Sequence, residues 1–401
     1  DEGRTRIWKY KTVSQSEWVS TNIFIATAGQ TGVGDGLITG SSNRGEAYSP
    51  TTKYWIQLGS DIVGDDGDIS GHSVSLSADG TIVAIGAYYY DVNHATDIDT
   101  DEGRTRIYQY SSNTWSQLGQ DLVGDNGDNN GQSVSLSADG TIVAIGAHFH
   151  DSGKGRTRIY QYSSNTWFQL GQDLIGDNNF NLSGISVSLS ADGTIVAIGA
   201  NLYATNGGAY TDEGRTRIYQ YSFNTWSQLG QDLVGDPGDE SGRSVSLSAD
   251  GTIVAIGARN HDVTSGNDTN EGRTRIYQYS SNTWSQLGQD LVGDPGDYSG
   301  RSVSLSADGT IVAIGARNHD VTSEGRTRIY HLSEYFKSNV KIDNNLNVVG
   351  DLDIQGKIKG DLIIGEDAND LMVVNSNAKF SNDVDVGTDL VVSKTISAKN
   401  V

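Results

Sequence analysis

Aspartate supplies most of the groups in this chain that could do chemistry. The pattern Gly-Asp-x-Gly-Asp sets carboxylates in pairs at Asp65 and Asp68, Asp125 and Asp128, Asp236 and Asp239, and Asp294 and Asp297. Carboxylates three apart in a glycine-punctuated turn either converge on a hard cation or close the turn on itself. A further run, Asp97, Asp99 and Asp101 ahead of Gly103, alternates as the opening of a calcium loop does. Its glycine falls one place late, and no bidentate Glu follows at the usual distance. Calcium is therefore the candidate cofactor, with Asp97, Asp99 and Asp101 as its ligands. The paired aspartates form a candidate ligand face, joined by Asp91, Asp151, Asp262 and Asp320 at one aligned position.

Other polar and aromatic groups recur with the same regularity. Arg104/Arg106 and Arg273/Arg275 could grip an anion, but recurrence points to structural pairing with neighbouring carboxylates. Trp115, Trp167, Trp226 and Trp284 could stack on sugar rings, and their even spacing points instead to packing between repeats. His148, His150, His261 and His319 have no paired metal spacing and receive no role. Asn181-Leu182-Ser183 and Asn267-Asp268-Thr269 are glycosylation sequons in expected loops. No repeat stands apart with a nucleophile, base and acid of its own. The chain is expected to bind or build rather than catalyse.

Composition narrows the partners. With 50 acidic against 28 basic residues and a net charge of −22, the surface repels a polyanionic duplex, so nucleic acid is excluded as a partner. Zero cysteine removes disulfides and thiol chemistry. No stretch approaches the roughly 18 apolar residues of a membrane span, so no membrane insertion is expected. A first residue of Asp, entering a repeat midway, reads as a processed product or fragment.

What must position these groups is a repeat. Ser-Val-Ser-Leu-Ser-Ala-Asp-Gly-Thr-Ile-Val-Ala-Ile-Gly-Ala starts at Ser73, Ser133, Ser186, Ser244 and Ser302, with a degenerate echo at residues 22–28 and 45–48. Ser133 to Ser137 alternates with period two, Asp139-Gly140 marks a hairpin, and Thr141 to Ala147 is apolar on both faces. Thr157 to Tyr162 alternates again, and a last strand is expected from Trp167 to Ile175. Four antiparallel strands in a unit repeated about six times predict an all-β fold, a six- or seven-bladed β-propeller of four-stranded blades. It should span 1–335, with repeats near 18–54, 55–114, 115–166, 167–225, 226–283 and 284–335. An extra Arg-Thr-Arg strand at Arg4 to Tyr10 either closes the last blade or is the remnant of a seventh. The loops before each Ser-Val-Ser-Leu and after each Ala-Ile-Gly-Ala emerge on one face, which should carry function.

From 336 to 401 the signature changes. Apolar residues step by six through Val340, Leu346, Leu352, Ile358 and Ile364, and again through Val384, Leu390 and Ile396. Such hexads build short strands joined by sharp turns, and so few cannot bury their own apolar face. Self-association, as a homotrimer or filament, is the expected solution.

The Ser-Val-Ser-Leu-Ser-Ala-Asp-Gly-Thr-Ile-Val-Ala-Ile-Gly-Ala segment followed by Glu-Gly-Arg-Thr-Arg-Ile-Tyr-Gln-Tyr resembles the integrin-α or FG-GAP-like propeller repeat. It is similar to tandem repeats of marine microbes and large algal viruses. That family holds calcium in an Asp-rich loop between the first two strands of a blade; here the loop is only Ser-Ala-Asp-Gly-Thr. The hexad segment resembles the β-stalks of viral fibres. Together these imply an extracellular or virion-surface adhesive fibre, its head contacting a host-surface glycan or protein. The alternatives are a calcium-dependent cell-surface adhesion module and a polysaccharide-acting propeller enzyme.

Overall fold

The computed structural model describes residues 4–13, 52–92, 100–205, 211–263, 269–318 and 324–333. The chain divides into two units, Asp1–Glu334 and Tyr335–Val401. The hexad positions Val340, Leu346, Leu352, Ile358, Val384, Leu390 and Ile396 lie outside the described residues, as does the degenerate echo at 22–28 and 45–48.

Residues 130–175 show the repeating unit. Asn130–Leu136 pairs antiparallel with Ile142–Ala147, which pairs with Arg156–Ser163. The expected single last strand is in two pieces, Thr166–Gln169 and Leu174–Ile175, both paired to Arg156–Ser163. Between them the chain bulges at Gly171, whose φ of +76° favours glycine.

The second strand is buried along its whole length because blades cover both of its faces. Ile107 and Leu122 of one blade pack with Val134, Leu136, Val143, Ile145 and Trp167 of the next, and the same cluster recurs at the two following junctions. The bulge serves this packing. It turns the Leu170 carbonyl toward the Trp226 indole, which donates to it at 2.7 Å. Polar links reinforce the contact: Ser133 Oγ donates to the Gly184 carbonyl at 2.9 Å, and the Ala138 N–H to the Ala191 carbonyl at 2.7 Å. Gly146 must be glycine, since a Cβ there would run into the Gly184 carbonyl.

The innermost strands of successive blades touch one another around a common axis. Antiparallel sheets arranged in this way make a β-propeller. Blades spanning 73–123, 130–175, 186–234 and 241–292 each hold all four strands. At one end, Arg4–Thr5 and Trp8–Val13 pair with Ile62–Val63 and Thr52–Gln57. The extra Arg-Thr-Arg strand thus joins the Trp55 strand in a first blade and does not complete the last one. That last blade has Ser299–Leu305, Ile311–Ala316 and Arg326–His331, with no fourth strand among the described residues. Two effects follow. Ile329 is 71% exposed where its counterpart Ile159 is fully buried. A cavity of about 160 Å³ opens beside Leu287, Gly288, Leu291 and Tyr330, where other junctions hold a tryptophan.

Candidate functional site on the long-loop rim

Each third strand begins Arg-Thr-Arg, and its position at the rim brings both guanidinium groups to the aspartates of the preceding loop. In the blade of residues 130–175, Arg156 Nη1 lies 2.7 Å from Asp125 Oδ2, and Nη2 binds Asp128. Arg158 Nε meets Asp173 at 3.0 Å, and Gln169 Nε2 donates to the same carboxylate at 2.7 Å. Neighbouring blades repeat the clamp. Arg104 lies 2.7 Å from Asp65 and 2.6 Å from Asp68, and Arg273 lies 2.8 Å from Asp236 and also binds Asp239. Arg326 binds Asp294 at 2.7 Å and also Asp297.

Within each pair the two carboxylates divide the work. Asp68, Asp128, Asp239 and Asp297 are buried against the first arginine, whereas Asp65, Asp125, Asp236 and Asp294 stay about half-exposed. Hydrogen bonds from Arg104 hold the Asp65 carboxyl below its ordinary range, as Arg156 does for Asp125 and Arg326 for Asp294. Buried ion pairs of this kind are costly to break, at about 3–5 kcal/mol when one partner is removed.

The rim therefore answers the metal question in its own way. Ligand atoms of Asp125, Asp128 and His150 lie within 4.8 Å of one another, as do those of Asp236, Asp239 and His261. At both places a guanidinium already sits among those oxygens, supplying the charge a cation would bring. Of the calcium-loop candidates, Asp97 and Asp99 lie outside the described residues. Asp101 is at φ +41°, and its carbonyl accepts the Asn129 N–H at 2.9 Å. The inter-strand turn is closed on itself: Asp79 accepts from Ser77 Oγ at 2.7 Å and from the Thr81 N–H at 2.9 Å. At the aligned loop position, Asp91 accepts the Thr100 N–H, Asp151 pairs with Lys154 at 2.6 Å and Asp262 accepts the Asn270 N–H; Asp320 lies outside the described residues.

Some residues act here that sequence reasoning left out. Asp177 takes both Arg215 at 2.7 Å and Arg217 at 2.8 Å. Asp121, Asp173, Asp232 and Asp290 serve as the third carboxylate of their clamps. Their shared signal was the Gln-Asp that follows each Leu-Gly. Two histidines also have partners: His150 Nδ1 lies 2.8 Å from Asp128 and His261 Nδ1 2.9 Å from Asp239. The first sequon is a correction, because Asn181 is only 3% exposed and its side chain faces inward, out of reach of a glycan-attaching enzyme.

No protein-family model matches the chain, and no curated protein matches it. Among solved structures, it is similar to a Bacteroides uniformis protein named provisionally as a 6-phosphogluconolactonase. That likeness has a TM-score of 0.46 and 12% identity over 70% of this chain and 74% of the other. It is also similar to the hydrazine synthase of Kuenenia stuttgartiensis, at TM-score 0.42 and 12% identity over 65% and 71%. Neither likeness bears on what this chain does.

Proposed function

We propose that this is a structural or adhesive surface protein, with the propeller as a binding head and the C-terminal hexads as a self-associating stalk. The observation that supports the reading is the row Asp65, Asp125, Asp236 and Asp294. These carboxylates occupy the same place in different blades, each about half-exposed beside an arginine. Equivalent sites on one rigid body favour many weak contacts acting together, as a host-surface glycan or protein would offer. The same regularity argues for binding over catalysis, since a reaction centre needs one blade to differ. The likeness of the repeat to integrin-α-type arrays, and of the hexads to viral fibres, supports a place on the outside of a cell or virion.

The test is the solution mass of the full chain and of a chain ending at Glu334. A trimeric full chain with a monomeric truncation is expected; monomers in both cases would remove the stalk. A glycan array probed with the full chain then separates a glycan partner from a protein one. Calcium-dependent adhesion is the second reading, favoured by the half-exposed rim carboxylates, whose oxygens are the donors calcium takes. Calorimetry showing no heat on calcium addition would end it.

A further inference from the structure

Every described arginine that opens a third strand is matched by aspartate. Arg243, Arg301 and Arg317 break that rule: none of them forms an ion pair with a carboxylate among the described residues. Arg243 and Arg301 follow Gly242 and Gly300 at the start of two innermost strands, Ser241–Leu247 and Ser299–Leu305. Arg259 and Arg317 follow the second strands of the same blades, Ile253–Ala258 and Ile311–Ala316. His72 and His148 hold the matching places in earlier blades. Because the innermost strands converge on the axis, side chains far apart in sequence gather at its long-loop end.

Among the described residues the gathering is crowded and short of acceptors. His148 is 6% exposed and its Nδ1 has no hydrogen-bond partner among them; Arg301 Nη1 is likewise buried without one. The acid beside them, Glu240, is already engaged by Arg259 at 2.8 Å, Asn201 at 3.0 Å and Asn260 at 2.6 Å. Burial, with Arg301 and Arg259 close by, holds Arg243 down at about 10. Burial, with Arg243 and His72 alongside, holds His148 at about 4. Buried donors without acceptors, and cations crowded by cations, are both unfavourable until an anion joins them.

We propose that Arg243, Arg301 and His148 form an oxyanion site at the axis, taking a sulfate, phosphate or carboxylate group. Planar guanidinium forks match such groups, and neutral His148 in its Nδ1–H form supplies a third donor. The site draws on single residues from different blades, so it is one per head, unlike the repeated rim. It does not depend on the rim or stalk reading.

The test is calorimetry on the full chain at constant ionic strength, with chloride as background. The probes are inorganic sulfate, inorganic phosphate, a sulfated monosaccharide and a glucuronide. One site per chain is expected, weakened about tenfold or more by Arg243→Gln or Arg301→Gln. Lys154→Gln, an equal loss of charge off the axis, should leave binding unchanged. Arg243→Gln relieves crowding and should melt no lower than the parent, so lost binding would not reflect lost folding. Tighter binding of the sulfated sugar than of inorganic sulfate would identify a glycan end group, and equal binding a free anion. No heat with any probe, or undiminished binding by both arginine variants, overturns the proposal.

Discussion

The indole nitrogen of Trp226 lies 2.7 Å from the carbonyl oxygen of Leu170, one blade earlier in the ring. One hydrogen bond thus joins the bulge of one blade to the outermost strand of the next, and the ring itself is buried in the junction. Trp226→Phe keeps most of the apolar contact and leaves the Leu170 carbonyl without its donor. It should cost about 1–3 kcal/mol, and Trp226→Ala about 3–5 kcal/mol. Urea unfolding followed by circular dichroism reads both, and an unchanged Trp226→Phe would show that the hydrogen bond contributes nothing.

Gly230 and Gly288 stand at the same point of successive bulges, at φ +76° and +77°. A Cβ on Gly230 would lie 2.6 Å from Trp284 Cδ1, whereas one on Gly288 meets nothing within 4 Å among the described residues. Gly288→Ala should therefore carry only the backbone cost of a left-handed residue, about 1–2 kcal/mol. Gly230→Ala carries that cost and a collision as well. Equal loss of thermal stability in the two variants would mean that another segment of the chain fills the cavity beside Gly288.

Removing the buried half of a clamp should hurt far more than removing the exposed half. Asp128→Asn removes the one fully buried carboxylate from buried Arg156 and leaves it the more exposed Asp125 and Asp173, a loss of up to about 3–5 kcal/mol. Asp125 is 62% exposed, so Asp125→Asn should cost no more than about 1 kcal/mol after solvent screening. Paired denaturation curves check the ranking, which a reversed order would refute.

Acid should weaken the protein in two stages. Hydrogen bonds from Arg217, and then Arg215, bring Asp177 down from 3.8 to about 2. A carboxylate depressed in the folded state stabilises it fully above the unfolded value and loses that contribution as pH falls through the folded one. Asp177's share of the stability should thus stay level down to about 4 and be lost between there and about 2, a stretch of the melting curve that Asp177→Asn flattens; buried His148, held at about 4, gives up its own share earlier, from about 6.5 downward. A slope below about 4 that Asp177→Asn leaves unchanged would refute the assignment.

Much of this was legible in the residues themselves. Alternation in Ser-Val-Ser-Leu and the unbroken Thr-Ile-Val-Ala-Ile-Gly-Ala declared strands of two kinds, and the structure sets them as expected. The bulge at Gly171 was not visible, because its purpose is to reach Trp226 in another blade. The arginine clamps were foreseen as structural pairs, but the third carboxylate, Asp173, stands between the two pieces of a strand read from sequence as continuous. His148 was passed over for a physical reason. A repeat read along the chain compares each residue with its equivalents, whereas His148 is neighboured by His72 and Arg243, which belong to different blades. The clue was the position before each Ser-Val-Ser-Leu, which changes from His72 to Gln132, Ile185, Arg243 and Arg301 while its surroundings hardly vary.

One link between blades is repeated without variation. The N–H of Ala78 donates to the Ala138 carbonyl, Ala138 to Ala191, Ala191 to Ala249 and Ala249 to Ala307, all at 2.7–2.8 Å. Among the described blades that hold all four strands no junction has a lock and key of its own, so these units could accept one another as neighbours. Copy number is then free of the interface. Unequal recombination between repeats this alike can insert or delete a whole blade and create no new surface, because energies in such arrays are set between nearest neighbours. The one place that cannot be duplicated in this way is the axis, where single residues from distant units meet, and a change in the number of blades would alter first what is held there.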